Sequence, residues 1–197
     1  MRRVAVLVLT MTFYFGLADW AIAGPFGLSM GMKPSEVGGK LKEHGPGKYR
    51  TTEVPQPHSA FKEYLLFFGP KTGLCKIIAT SPEVATSGYG TELRSAFERL
   101  EARLKVQYGK HERVDFLQKG SIWNEPKDFM TGLLKEERTL ISYWSMEGGA
   151  TLKDSISGLM LEAHALSQEK GAISVGYEFQ NRDECQKEHD AAEDNAL

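Results

Sequence analysis

The chain has 197 residues, 41% hydrophobic and 25% charged, with 24 lysines and arginines against 26 aspartates and glutamates. That composition excludes a disordered or fibrous chain. A net charge of −2 makes the chain a poor candidate for nucleic acid, whose binding needs a concentrated basic surface.

Residues 1–23 open with Arg2 and Arg3, continue as an apolar run over 4–18 and close on Ala21-Ile22-Ala23, the small-x-small pattern cut by signal peptidases. The run breaks at Asp19 and falls short of the ~20 residues that span a bilayer. The reading is a cleaved signal peptide, giving a periplasmic or secreted chain that starts at Gly24. No cysteine follows the run to accept a lipid, and no later apolar stretch is long enough to be a transmembrane segment. The remaining 174 residues suffice for one domain with its own core. That domain is expected over residues 24–180, with a polar tail at 181–197.

Phe26, Leu28, Met30 and Met32 alternate with polar or small residues, which predicts an extended segment with one buried face. A helix is predicted over 34–43, with Pro34 in its first turn, Val37 and Leu41 inward and Gly45 at its end. Gly38 and Gly39 weaken it. Residues 44–59 carry three prolines and read as a loop with one short strand near 49–54. The clearest hairpin pairs 61–68 with 74–80 around Gly69-Pro70-Lys71-Thr72-Gly73. Leu93, Phe97, Leu100, Leu104 and Tyr108 mark one face of a long helix. On its outer face Arg94 with Glu98, and Glu101 with Lys105, stand at the i, i+4 spacing of supporting ion pairs. A strand near 113–117 follows, then a helix capped by Asn124 with Pro126 in its first turn. Strands at 138–146, 156–166 and 172–180 close the domain. The order implies an α+β fold: an antiparallel sheet packed on one face by two to three helices, a two-layer sandwich.

Cys75 and Cys185, in an oxidising compartment, are expected to form a disulfide that ties the C-terminal segment to an early strand. Cys185 and His189 stand four apart, but two ligands make no zinc site, so neither a metal nor another cofactor is expected. Gly171 to Gly176 is one residue too long for a nucleophile elbow. Gly88-Tyr89-Gly90 lacks the third glycine of a dinucleotide loop. Glu162 and His164 project from the same face of their strand. That spacing suits general acid–base work, but without a readable nucleophile the pair reads as a solvent-facing polar pair on the open face. Tyr143 and Trp144 point to opposite faces of theirs, so either one is exposed or both faces are covered. Exposed Trp and Tyr anchor protein interfaces. The candidate binding residues are therefore Trp144, Tyr143, Trp123, Glu162 and His164.

The segment Phe26-Gly27-Leu28-Ser29-Met30-Gly31-Met32, followed by Glu36-Val37, resembles the opening of exported bacterial proteins of the SmpA/OmlA (BamE-like) family. It is also similar to the repeat unit of the β-lactamase-inhibitor-protein family. The resemblance implies a helical pair, started at a Gly-Met turn, packed on an antiparallel sheet. It also implies action by protein contact, and it carries over no catalytic residue. The function expected is non-enzymatic binding of another exported or envelope protein. The alternatives are a hydrolase-like periplasmic enzyme with dispersed residues and a small-ligand carrier.

Overall fold

Residues 24–194 are described by a computed structural model; the expected signal peptide at 1–23 lies outside the described residues. Aromatic and β-branched residues build the hairpin of β3 (Glu63–Gly69) and β4 (Gly73–Thr80), in the register Tyr64↔Ala79 and Leu65↔Ile78. A second ribbon, β1 (Lys42–Gly45) with β2 (Lys48–Thr51), extends it outward along β3. The C-terminal meander is β7 (Arg138–Ser145), β8 (Ile156–Ala165) and β9 (Lys170–Phe179), flanked by β6 (Glu112–Leu117). It joins the N-terminal ribbon where β9 pairs with β4. With β5 (Val84–Ala85) on β9, the described residues form one open antiparallel sheet of nine strands in the order β1-β2-β3-β4-β9-β8-β7-β6. Three helices accompany it: α1 (Thr91–Tyr108), α2 (Phe129–Leu134) and α3 (Arg182–Asp194). The fold is α+β, as the order of elements implies.

Strand parity decides which side chains meet the helices. Leu66, Ile77, Leu159, Leu161, Ile173 and Val175 face one way. Against them pack Leu93, Phe97 and Leu104 of α1, and Phe129, Met130 and Leu133 of α2, in one continuous core. Trp144 belongs to this face. It is 1% exposed, its Nε1 donates to the Gly109 carbonyl at 3.2 Å, and the His111 ring stacks on it at 4.7 Å. Trp144 is therefore a core residue, because the covered face is the one that its parity selects.

The i, i+4 pairs expected along α1 are replaced by longer-range contacts. Glu101 turns inward, accepting from Ser142 Oγ and from Arg113 at 2.8 Å, with His111 Nε2 at 3.2 Å. Glu98 instead meets Arg113 at 3.7 Å, and the Arg94 guanidinium lies 5.2 Å from the Phe129 ring centre. A carboxylate with charged and hydroxyl partners in a nearly dry site stitches α1 to β7, a stronger arrangement than a solvated pair on the helix surface. Burial raises the hydroxyls of Tyr108, to about 12, and of Tyr177 in the same layer.

Three local expectations fail near the N-terminus and before α2. The predicted helix at 34–43 is a single 3-10 turn, Pro34–Glu36, closed by the Glu36 carboxylate on the Lys33 N–H at 2.6 Å. Gly38 and Gly39 then take φ of +75° and +69°, which ends the helix and releases the chain into β1. The expected extended segment begins instead as a 3-10 turn, Pro25–Gly27, so that Leu28 is buried while Met30 is 37% exposed. Asn124 caps nothing: a 3-10 turn starts at Pro126 after Glu125, and α2 follows it.

The polar segment after residue 180 is the helix α3. Cys185 joins it to Cys75 in a disulfide, with Cα atoms 6.3 Å apart. The Glu188 carboxylate accepts from the N–H of Lys71 at 2.9 Å, which holds its pKa below the ordinary range.

Candidate functional site on the open sheet face

The face opposite α1 and α2 is laid out in rows across the strands. The middle row runs Glu112, Tyr143, Met160, Gly176, Ile78, Leu65 and Arg50, from β6 to β2. One flanking row runs Ser145, Gly158, Glu178, Lys76, Phe67 and Lys48. The other runs Val114, Ile141, Glu162, Ser174, Thr80 and Glu63. Tyr143, Met160, Ile78 and Leu65 thus make an apolar stripe across the sheet, ended by Glu112 and Arg50, between two rows of mixed polar and apolar side chains. Tyr143 is 37% and Met160 39% exposed.

Gly158 and Gly176 interrupt these rows and leave a hollow. A Cβ built on either would meet no atom within 4 Å, so neither glycine is required by close backbone approach. Glycine in a strand interior costs about 0.5–1 kcal/mol relative to alanine. Here that cost is accepted where packing does not ask for it, and the result is a trough of about 500 Å³ lined by Ile78, Tyr143, Met160 and the two glycines.

Charge around the trough is uneven. Lys76 Nζ donates to Glu178 at 2.7 Å, and Arg182 at the start of α3 reaches the same carboxylate at 3.7 Å. Lys48 and Lys76 lie 5.8 and 5.9 Å from the Phe67 ring centre. Among the described residues no carboxylate lies within ion-pair distance of Lys42 or Lys48, so this end of the face is basic. At the other end the Glu112 carboxylate beside Tyr143 holds its hydroxyl above the ordinary tyrosine range.

Glu162 and His164 do lie on this face, with His164 Nε2 3.7 Å from Glu162 Oε2. Pairing of β8 with β9 adds a partner that local spacing does not reveal: Ser174 Oγ is 2.7 Å from the same nitrogen. A serine, a histidine and an acid are thus together, but both oxygens approach Nε2. A relay needs the acid on the opposite ring nitrogen, where it orients the base. Ser174 also sits within a continuous ladder whose N–H groups serve strand pairing, a poor place to gather donors for an oxyanion. The cluster is a polar margin of the trough.

Of the five candidate binding residues, the open face therefore gathers Tyr143, Glu162 and His164. Trp144 is under α1, and Trp123 is half-buried in the loop before α2, beside Gly132. Sequence reasoning missed Gly158, Gly176, Met160, Ile78 and the Lys76–Glu178 pair. The available signal was a glycine inside each of two strand patterns. Among the described residues no three or more His, Cys, Asp or Glu side chains converge on a metal position, and no helix is long and apolar enough to cross a membrane. No family model, no curated protein and no solved structure matches the chain.

Proposed function

We propose that this is an exported, non-enzymatic module that binds another envelope or secreted protein through the open face of its sheet. The partner places an apolar side chain in the hollow over Gly158 and Gly176 and sets acidic side chains beside Lys42 and Lys48. The observation that carries the reading is the apolar stripe with its glycine hollow, formed where larger side chains would fit without clash. A central pocket for an apolar anchor with a polar rim is the usual anatomy of an interface hot spot. The leader pattern at 1–23 and the Cys75–Cys185 bond support an oxidising compartment. The resemblance of the N-terminal segment to the SmpA/OmlA and β-lactamase-inhibitor-protein families points the same way, toward action by protein contact. A hydrolase is the second reading, favoured by the Ser174–His164 contact and opposed by the placement of Glu162 on the same nitrogen.

Photocross-linking tests the proposal. A benzoylphenylalanine in place of Tyr143 is expected to capture a protein in the exported fraction, through a segment that carries acidic residues beside an apolar one. The same group in place of Val106, 90% exposed on α1, is expected to capture none. Equal yields from the two positions, or no adduct at Tyr143, would contradict the reading.

A further inference from the structure

On the helix side of the sheet, away from the open face, a cleft of about 330 Å³ lies between α1 and the segment that leads into β5. The apolar part of its lining is Ala96 and Leu100 from α1, Pro82 and Val84 opposite, and Ile173 at the base, itself 1% exposed. Arg99 and Arg103 stand along the same cleft, one helical turn apart.

These two guanidiniums are unlike the others. Arg50, Arg113, Arg138 and Arg182 each meet a carboxylate, and Arg94 lies over Phe129. Among the described arginines only Arg99 and Arg103 have neither a carboxylate nor a ring as partner. Like charges at i, i+4 repel, and the positions three or four away from them hold Ser95, Ala96, Leu100, Ala102, Val106 and Gln107, with no acid. Of the cleft's other polar side chains, Ser81 and Glu83 are already committed, and Ser59 stands at its edge. Ser81 Oγ donates to the Pro82 carbonyl at 2.7 Å and accepts from the Ile173 N–H at 3.0 Å, and Glu83 is held by Lys170 at 3.1 Å. Two uncompensated cations at the mouth of an apolar cleft complement a ligand with one anionic head and an apolar chain.

We infer that this cleft binds a medium-chain monocarboxylate, its chain against Ala96, Leu100, Val84 and Ile173 and its carboxylate between Arg99 and Arg103. The site is separate from the open face, and the inference does not depend on the protein-docking proposal.

Decanoate titrated into the mature protein, followed by amide chemical shifts, tests it. Saturable shifts are expected at Val84, Ala96, Leu100 and Ile173. The double variant Arg99→Gln/Arg103→Gln changes only exposed side chains of α1 and is expected to keep the fold while weakening decanoate by about tenfold or more, as loss of a charge-assisted contact does. Decanol is expected to bind more weakly and to be indifferent to the double variant. The inference is overturned if decanoate gives no saturable shift, if the double variant binds it unchanged, or if the shifts fall on Tyr143 and Met160. It is equally overturned if the arginines instead drive sedimentation with phosphatidylglycerol vesicles, which would assign them to a membrane surface.

Discussion

Replacing both cysteines, Cys75→Ser with Cys185→Ser, is expected to lower the unfolding free energy by about 4 kcal/mol. The disulfide closes a loop across a sequence separation of 110, so it restricts most of the described chain in the unfolded state. Both sulfurs are in residues 1% exposed, and the serines would bury hydroxyls in their place. What then holds α3 is polar: Asn181 Nδ2 donating to the carbonyls of Thr72 at 3.0 Å and Leu74 at 3.1 Å, and the Glu188 carboxylate on the β3–β4 turn. These are partly solvated contacts, worth about 1 kcal/mol each. Urea denaturation should show the full loss, and hydrogen exchange should show α3 opening before the sheet. A change below about 1 kcal/mol would mean that the unfolded chain is not restrained by this link.

Gly176→Trp is expected to reduce partner binding by about a hundredfold while leaving the protein folded. An apolar anchor in a desolvated pocket contributes about 2–4 kcal/mol, and a side chain that occupies the hollow removes that contribution and adds a clash. A Cβ at Gly176 meets nothing within 4 Å, and the indole would lie in the trough of about 500 Å³ above it. A side chain on a strand in place of glycine is expected to leave stability unchanged or raise it by about 0.5–1 kcal/mol. The pairing of lost binding with kept stability separates this position from a core residue such as Trp144, whose truncation costs both. Partner affinity by titration calorimetry, beside a thermal melt, reads the two effects. Undiminished affinity in the folded variant would place the partner elsewhere.

The parts of this molecule that could be read from its sequence are those in which one residue's neighbours along the chain settle its environment. Alternation along β8 put Glu162 and His164 on one face of the strand. The 3.6-residue period placed Leu93, Phe97 and Leu104 in the core. Parity also separated Tyr143 from Trp144, but it does not say which face the helices cover, and that alone decides which of the two is a surface residue. The helix at 34–43 failed because two glycines free to take positive φ outweigh one proline, one acid and two inward apolar positions. The trough was illegible for another reason. Gly158 pairs with Glu178, Gly176 with Met160 and with Ile78, and Ser174 with Glu162, so the site is written in the register of β4, β9 and β8. No spacing within a single strand contains it. The arginine cleft is similar, since the lack of counter-charges around Arg99 and Arg103 is visible only once the other ion pairs are formed.

Hydroxyl-radical footprinting of the protein in a fresh extract of its own cells, against the purified protein, tests most directly whether the open face is a docking surface. Tyr143 and Met160 on that face, at 37% and 39% exposure, have matched references in Tyr89 at 53% and Met30 at 37%, both outside its rows. If a partner docks there, Tyr143 and Met160 are protected several-fold in the extract while Tyr89 and Met30 are modified equally in both samples. Equal modification of all four in the two samples would contradict it.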